Sequence, residues 1–201
     1  MYVDPEPCLP PRCYTEEFMD LVFSPALLAQ AANIKLLLMD VDGVMTDGTL
    51  WNVPAPDGQI FETKGFDSQD GIGLQWLSWY GIKTGVISGR VSPATEVRAQ
   101  QCKMAYVYQG HIEKIPILEQ ILADAKINPQ QVAYIGDDFT DVVIMRRVGL
   151  SIAVANARPE VKAAAHWTTP NRGGCGAVRD AVQLILTAQG IWPEIVKKYE
   201  L

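Results

Sequence analysis

The sequence predicts an α/β fold, a Rossmann-like three-layer sandwich with a central parallel sheet. Three observations predict it. Leu36, Leu37, Leu38 and Met39 form an unbroken apolar run, as a strand buried on both faces requires. The run from Val132 to Ile135 does the same, and both runs stop at carboxylates, Asp40 and Asp137. Between the apolar runs lie helical stretches of about ten to fifteen residues, the length a parallel crossover needs.

The elements follow in order. Residues 1–14 are proline-rich and aperiodic, an irregular arm. Residues 15–32 read as helical, with a break or restart at Pro25. The first strand ends at Asp40. Thr49 to Val53 and Gln59 to Lys64 are β-prone runs around Pro54-Ala55-Pro56-Asp57-Gly58, so a hairpin is expected over about residues 49–64. A helix to about Tyr80 precedes a second buried strand, Lys83 to Ser88. A helix over 92–101, a strand from Met104 to Tyr108 and a helix through Ala125 come next. After the Val132 strand a helix begins near Asp138, and Ser151 to Ala155 is the fifth buried strand. Arg158 to Ala165 is a short helix. The last helix carries Val178, Ala181, Val182, Ile185 and Leu186 on one face. The division expected is an N-terminal arm and helix (1–33), one α/β domain (34–190) and a tail (191–201).

Composition narrows the function classes. The 201 residues carry a net charge of −6, which argues against a nucleic-acid partner. No apolar run is long enough to span a membrane, and the N-terminus lacks a basic region followed by an apolar core. Cys8, Cys13, Cys102 and Cys175 match no zinc spacing and read as reduced thiols of a cytoplasmic protein.

Chemistry concentrates at the strand ends. Asp40 and Asp42, then Gly43, close a buried strand. Two carboxylates there are costly without compensation, and a bound cation is the usual compensation. The plain alternative, a turn cap, accounts for one Asp and the Gly. Asp137, Asp138 and Asp141 close another strand. Acidic residues suit a helix N-terminus, and their three- and four-residue spacing places them on a shared helical face. Ser88 and Gly89 end the second strand, where a hydroxyl and free amides suit a phosphate; Ser88 as a helix cap is the competing reading. Arg90 is either an anion ligand or solvated, and Lys114 alone would read as a solvated helix lysine.

Asp40-Val41-Asp42-Gly43-Val44-Met45-Thr46 resembles the Asp-x-Asp-Gly-x-x-Thr motif of the haloacid dehalogenase superfamily. Extended through Asp47-Gly48, it is similar to that of the superfamily's 3-deoxy-D-manno-octulosonate 8-phosphate phosphatases. The resemblance covers residues 34–190. It implies Asp40 as nucleophile, Asp42 as general acid/base, and Ser88 and Lys114 as phosphate-side partners. Gly-Asp-Asp-x-x-Asp implies a Mg²⁺ set of Asp40, the Asp42 carbonyl and Asp137, supported by Asp138 and Asp141. Gly43, Gly89, Arg90, Asp70 and Arg179 are the implied substrate contacts, although Asp70 can equally cap a helix and Arg179 can pair locally. The family commonly has a basic residue where Gln69 stands, and Glu in place of Asp180. The insert at 49–64 is too short for a cap domain, so a capless homotetramer is implied, with neighbouring subunits closing the sites. The implied activity is Mg²⁺-dependent hydrolysis of the octulosonate 8-phosphate in lipopolysaccharide precursor synthesis. A nine-carbon ulosonate 9-phosphate is the alternative substrate. A non-catalytic subunit binding a cytidylyltransferase, or a phosphomutase, are the alternatives of other classes. His111 and His166 carry no catalytic role in this reading.

Overall fold

The computed structural model describes residues 21–200. Its core is a six-stranded sheet in the order β5-β4-β1-β6-β7-β8, every pairing parallel. The strands are β1 (Leu36–Met39), β4 (Lys83–Ile87), β5 (Tyr106–Tyr108), β6 (Val132–Gly136), β7 (Leu150–Ala153) and the short β8 (Trp167–Thr168). β1 and β6 are buried at every position, which is why they read as continuous apolar runs. β8 is the sixth parallel strand that the sequence did not suggest; two residues give no periodicity to read.

Chain direction and handedness set the layers. From β1 the chain moves outward to β4 and β5 through α2 (Ser68–Trp79) and α3 (Pro93–Gln101). It then returns and moves the other way through α4 (Ile115–Ala125), α5 (Phe139–Met145) and α6 (Pro159–Ala164). Right-handed crossovers running in opposite directions place these two groups on opposite faces. Helix contacts agree: α2 packs on α7 (Ala177–Ala188) and α7 on α1 (Pro25–Ala31), while α5 packs on α4 and α6. The reversal falls beside β1, so the crevice at the carboxyl ends of β1, β4 and β6 is the expected ligand position.

The hairpin forms as expected. β2 (Trp51–Pro54) pairs antiparallel with β3 (Ile60–Thr63), with Trp51 opposite Thr63 and Val53 opposite Phe61. It stands off the body: Trp51 is 57% exposed, Ile60 69% and Phe61 54%. These side chains therefore do not cover the protein's own core. Pro25 opens α1 rather than interrupting it, with Ser24 as N-cap; the part of the expected helix before residue 21 lies outside the described residues, as do Cys8 and Cys13. The tail contains a helix, α8 (Trp192–Lys198), whose Ile195 is buried. Cys102 is a free, buried thiol, but Cys175 is disulfide-bonded, which corrects the expectation of four reduced thiols.

Candidate active site

The turn after β1 is held from within and from across the molecule. Thr46 Oγ1 accepts from the amides of Gly43 and Gly48. Asn156, just past β7, donates from Nδ2 to the Gly43 carbonyl at 2.9 Å, while its Oδ1 accepts from the Gly173 amide at 2.6 Å. Gly43 has φ +88°, and a Cβ there would fall 2.2 Å from Asp137 Oδ2. A Cβ at Gly173 would fall 1.8 Å from the Gly43 carbonyl oxygen. Only glycines allow the first turn, the Asp137 carboxylate and the glycine-rich loop to close together.

Three carboxylates converge there. Asp40, Asp137 and Asp141 each bring an oxygen within 4.8 Å of the others. Lys114, itself buried, answers part of this charge: its Nζ lies 2.7 Å from Asp141 Oδ1 and 3.1 Å from Asp40 Oδ1. Burial pulls the ammonium down, but Asp141 and Asp40 outweigh it, and its pKa is raised. Tyr134, fully buried in β6, donates to Asp141 Oδ1 at 2.7 Å and lies 3.2 Å from Lys114. Lys114 is thus a fixed interior cation and not a solvated helix residue.

One cation does not balance the cluster. Burial first, then Asp141, raises the Asp40 pKa to about 6. Burial, then Asp141 and Asp40, raises Asp137 to about 8. Asp137 Oδ1 is buried with no hydrogen-bond partner, and Asp40 Oδ1 makes no hydrogen bond of good geometry even to Lys114. Hard oxygen donors with an orphaned buried oxygen and surplus negative charge are the donor set a Mg²⁺ ion takes.

The acidic stretch after β6 divides its labour differently from its spacing. Asp137 lies before α5 and does not share a helical face with Asp141. Asp138 is exposed and caps the helix, accepting from the Phe139 amide at 2.7 Å. Asp141 Oδ2 accepts from the amides of Asp137 and Asp138 while Oδ1 faces Lys114, so it orients both Asp137 and the lysine.

Asp42 turns to the hairpin. Lys64 donates to its Oδ1, and Arg90 Nε is 3.7 Å from its Oδ2. Glu62 in β3 contacts both cations. Ser88 is buried at the end of β4, its Oγ accepting from the Arg90 amide at 3.2 Å. The N-cap position of α3 belongs to Ser92, so Ser88 is not that helix's cap. Gly89 has no positive φ, and a Cβ there would make only an ordinary 3.4 Å contact with Ile112.

Asp70 and Arg179 form a separate arrangement. Asp70 is buried in α2 and accepts from the Arg179 amide at 2.7 Å, tying α2 to the start of α7. The Arg179 guanidinium lies 3.7 Å from the Trp76 ring centre, with Trp192 of α8 at 5.5 Å. Both side chains lie outside the Asp40 cluster, the guanidinium stacked on the aromatic rings and Asp70 Oδ2 buried without a hydrogen-bond partner. His111 and His166 remain apart from the chemistry, His166 bonding Ser151.

Four residues in this framework were not singled out from sequence. Glu62 and Lys64 lie two apart on a β-prone run, a spacing that puts both on one side of the chain. Tyr134 was hidden in an apolar run, although a buried tyrosine needs a partner for its hydroxyl. Asn156 was visible only as a polar residue ending the fifth strand.

Comparison with known proteins agrees with this geometry. Residues 87–181 match the model of the haloacid dehalogenase-like hydrolases. The chain is 41% identical over 175 residues to the 3-deoxy-D-manno-octulosonate 8-phosphate phosphatase of Yersinia pestis, covering 86% of this chain and 91% of that one. It superposes on a probable YrbI family phosphatase from Pseudomonas syringae with TM-score 0.83 and 41% identity, covering 88% and 98% of the two chains. It also superposes on the octulosonate phosphatase of Moraxella catarrhalis, solved with magnesium, phosphate and the sugar acid, with TM-score 0.82 and 35% identity over 87% and 98%. With strand-end aspartates, an interior lysine and a capless crevice already in place, the chain belongs to the haloacid dehalogenase-like hydrolases, in the family of the 3-deoxy-D-manno-octulosonate 8-phosphate phosphatases.

Proposed function

We propose that this protein is a Mg²⁺-dependent phosphomonoesterase that hydrolyses 3-deoxy-D-manno-octulosonate 8-phosphate to the sugar acid and phosphate. The observation that carries the reading is the unbalanced trio Asp40, Asp137 and Asp141 around Lys114 at the sheet's carboxyl edge.

Asp40 attacks phosphorus in line with the departing sugar oxygen and becomes an aspartyl-phosphate. Asp42 gives its proton to that oxygen as the P–O bond breaks, then takes one from the water that cleaves the intermediate. Lys114 balances charge on the nucleophile and on the phosphoryl oxygens. The Ser88 oxygen already accepts from the Arg90 amide, which leaves its hydroxyl proton for a phosphate oxygen. Asp40, Asp137 and the Asp42 carbonyl would hold Mg²⁺, which supplies charge neutralisation for the phosphate dianion. Asp141 positions Lys114 and the Asp137 backbone. Arg90, paired with Glu62 and 47% exposed in its side chain, would be the cation that meets the sugar carboxylate.

The working unit is residues 34–190. The hairpin's exposed apolar residues support a homotetramer in which neighbouring copies wall the open site. No helix among the described residues is long and apolar enough to cross a membrane. With Gln69 standing where a basic residue is common, a nine-carbon ulosonate 9-phosphate is the second reading. A kinetic panel of both ulosonate phosphates with Mg²⁺ or EDTA tests the assignment. The octulosonate 8-phosphate should give the highest kcat/KM, and turnover should vanish in EDTA. Preference for the nine-carbon ester would move the assignment to the second reading.

A further inference from the structure

The hairpin reaches into the site through one edge of one strand. Alternation along β3 and the residue beyond it puts Glu62 and Lys64 on one side of the chain, with Phe61 and Thr63 on the other. Lys64 is the hairpin's one cation, its side chain only 2% exposed. Its Nζ donates to Asp42 Oδ1 and lies 3.2 Å from Glu62 Oε1. Arg90 closes the square, contacting Glu62 and facing the second Asp42 oxygen at 3.7 Å. Each oxygen of the acid/base carboxylate therefore has its own cation, and both cations share Glu62. A buried lysine on a projecting arm is costly unless paired. Here the pairing carboxylate belongs to the chemistry and not to the core.

We infer that Lys64 is a positioning residue for Asp42: anchored by Glu62, it sets the orientation from which the Asp42 carboxyl delivers and recovers its proton. This rests on the phosphatase reading above. Lys64 itself gains and loses no proton. The Asp40–phosphorus bond forms, the phosphorus–sugar oxygen bond breaks, and the proton on the departing oxygen comes from Asp42. The lysine fixes where that proton is offered. The seating of the hairpin on the body therefore bears on one chemical step, protonation of the leaving group, rather than on phosphate binding, which lies with Lys114 and Ser88.

The leaving group separates these roles. A sugar alkoxide must be protonated as it leaves, while p-nitrophenolate departs without help. In acid-quenched single-turnover experiments with the full chain and Mg²⁺, Lys64→Met should slow phosphorylation of Asp40 by octulosonate 8-phosphate by about 10²-fold, the scale of a misplaced general acid. With p-nitrophenyl phosphate the loss should be several-fold at most. Lys64→Arg should restore most of the sugar-phosphate rate. Equal slowing on both esters, or a rise in KM with kcat unchanged, would overturn the proposal, since either outcome makes Lys64 a substrate ligand or a fold element. If Lys64→Met fails to fold by circular dichroism, Glu62→Gln loosens the lysine without removing it and should show the same split at smaller size; no split there overturns it as well. A wild-type enzyme that forms no aspartyl-phosphate with either ester would instead bring down the phosphatase reading, and this inference with it.

Discussion

Two buried acidic groups in this molecule look alike by their ionisation and differ in how their carboxylates are arranged. At the sheet edge, burial raises Asp40 to about 6 and Asp137 to about 8. Between α2 and α7, burial raises Asp70 to about 7 and Asp180 to about 6. In the second group the carboxylates bond to local groups and do not converge, although Asp70 Oδ2 is also buried without a hydrogen-bond partner. Asp70 accepts from the Arg179 amide, and Asp180 accepts from the Asn171 amide and side chain at 3.1 and 3.0 Å. These carboxylates hold the start of α7 and the glycine-rich loop. In the first group three carboxylates converge on one point with a single lysine, leaving Asp137 Oδ1 without a partner. A raised pKa or a single unpartnered oxygen marks burial; convergence of several carboxylates on one point marks a place where something binds.

The sharpest way to break this contrast is substitution with the isosteric amide. Asp40→Asn should abolish turnover and all acid-trapped aspartyl-phosphate. Asp42→Asn should cost about 10²- to 10⁴-fold, as loss of general acid/base help does. Asp180→Asn should stay within about tenfold of wild type, because it removes no group from the reacting atoms. Steady-state kinetics on folded variants checks all three, and an Asp180→Asn loss as deep as that of Asp42→Asn would erase the distinction between the groups.

Metal linkage separates the groups next. Ionised carboxylates bind Mg²⁺, so protons must leave Asp40 and Asp137 as the ion enters. With pKa values of about 6 and about 8 in the metal-free protein, Mg²⁺ affinity should rise as pH increases from 6 to 9. At fixed Mg²⁺ the melting temperature should rise by linkage, most at the alkaline end. Calorimetric titration reads both affinity and proton release. Asp137→Asn should lose the effect, and Asp180→Asn should keep it.

The sequence made the first group legible and blurred the second, for a physical reason. Asp40 and Asp137 each end a run of fully buried residues, and a charge at such a boundary needs compensation wherever the chain goes next. That inference is local. Lys114 needed the resemblance, because the pairing that buries it joins the residue before α4 to Asp40, just past β1, and to Asp141 in α5, and no spacing along the chain records it. Asp70 and Arg179 were assigned to substrate by the same resemblance, yet α2 and α7 meet face to face and use them first as a helix junction. Lys64 was passed over because strand alternation says which side of the hairpin it lies on but not that this side leans over Asp42. The hairpin itself was legible from its turn residues, and β8 was not, having only two residues.

The smallest expected effect concerns stability alone and tests whether Asp70 belongs to the fold. Burial is the main reason its pKa stands at about 7, against about 3.9 in an unfolded chain. Between those values the folded protein keeps a proton that the unfolded chain releases. Stability from this group is therefore lost as pH rises from about 4 to about 7, and the loss is complete above the folded pKa. Asp70→Asn keeps an oxygen to accept from the Arg179 amide and removes the ionisation. Relative to wild type, the variant should be near-neutral at pH 4, gain steadily to pH 7 and hold a constant advantage beyond. Urea denaturation at saturating Mg²⁺ measures this with the active-site carboxylates already satisfied, so their titration does not intrude. A difference that does not change with pH would mean that Arg179 compensates an ionised Asp70. The pair would then be an ion pair stacked on Trp76, and the two acidic groups would be more alike than their bonding suggests.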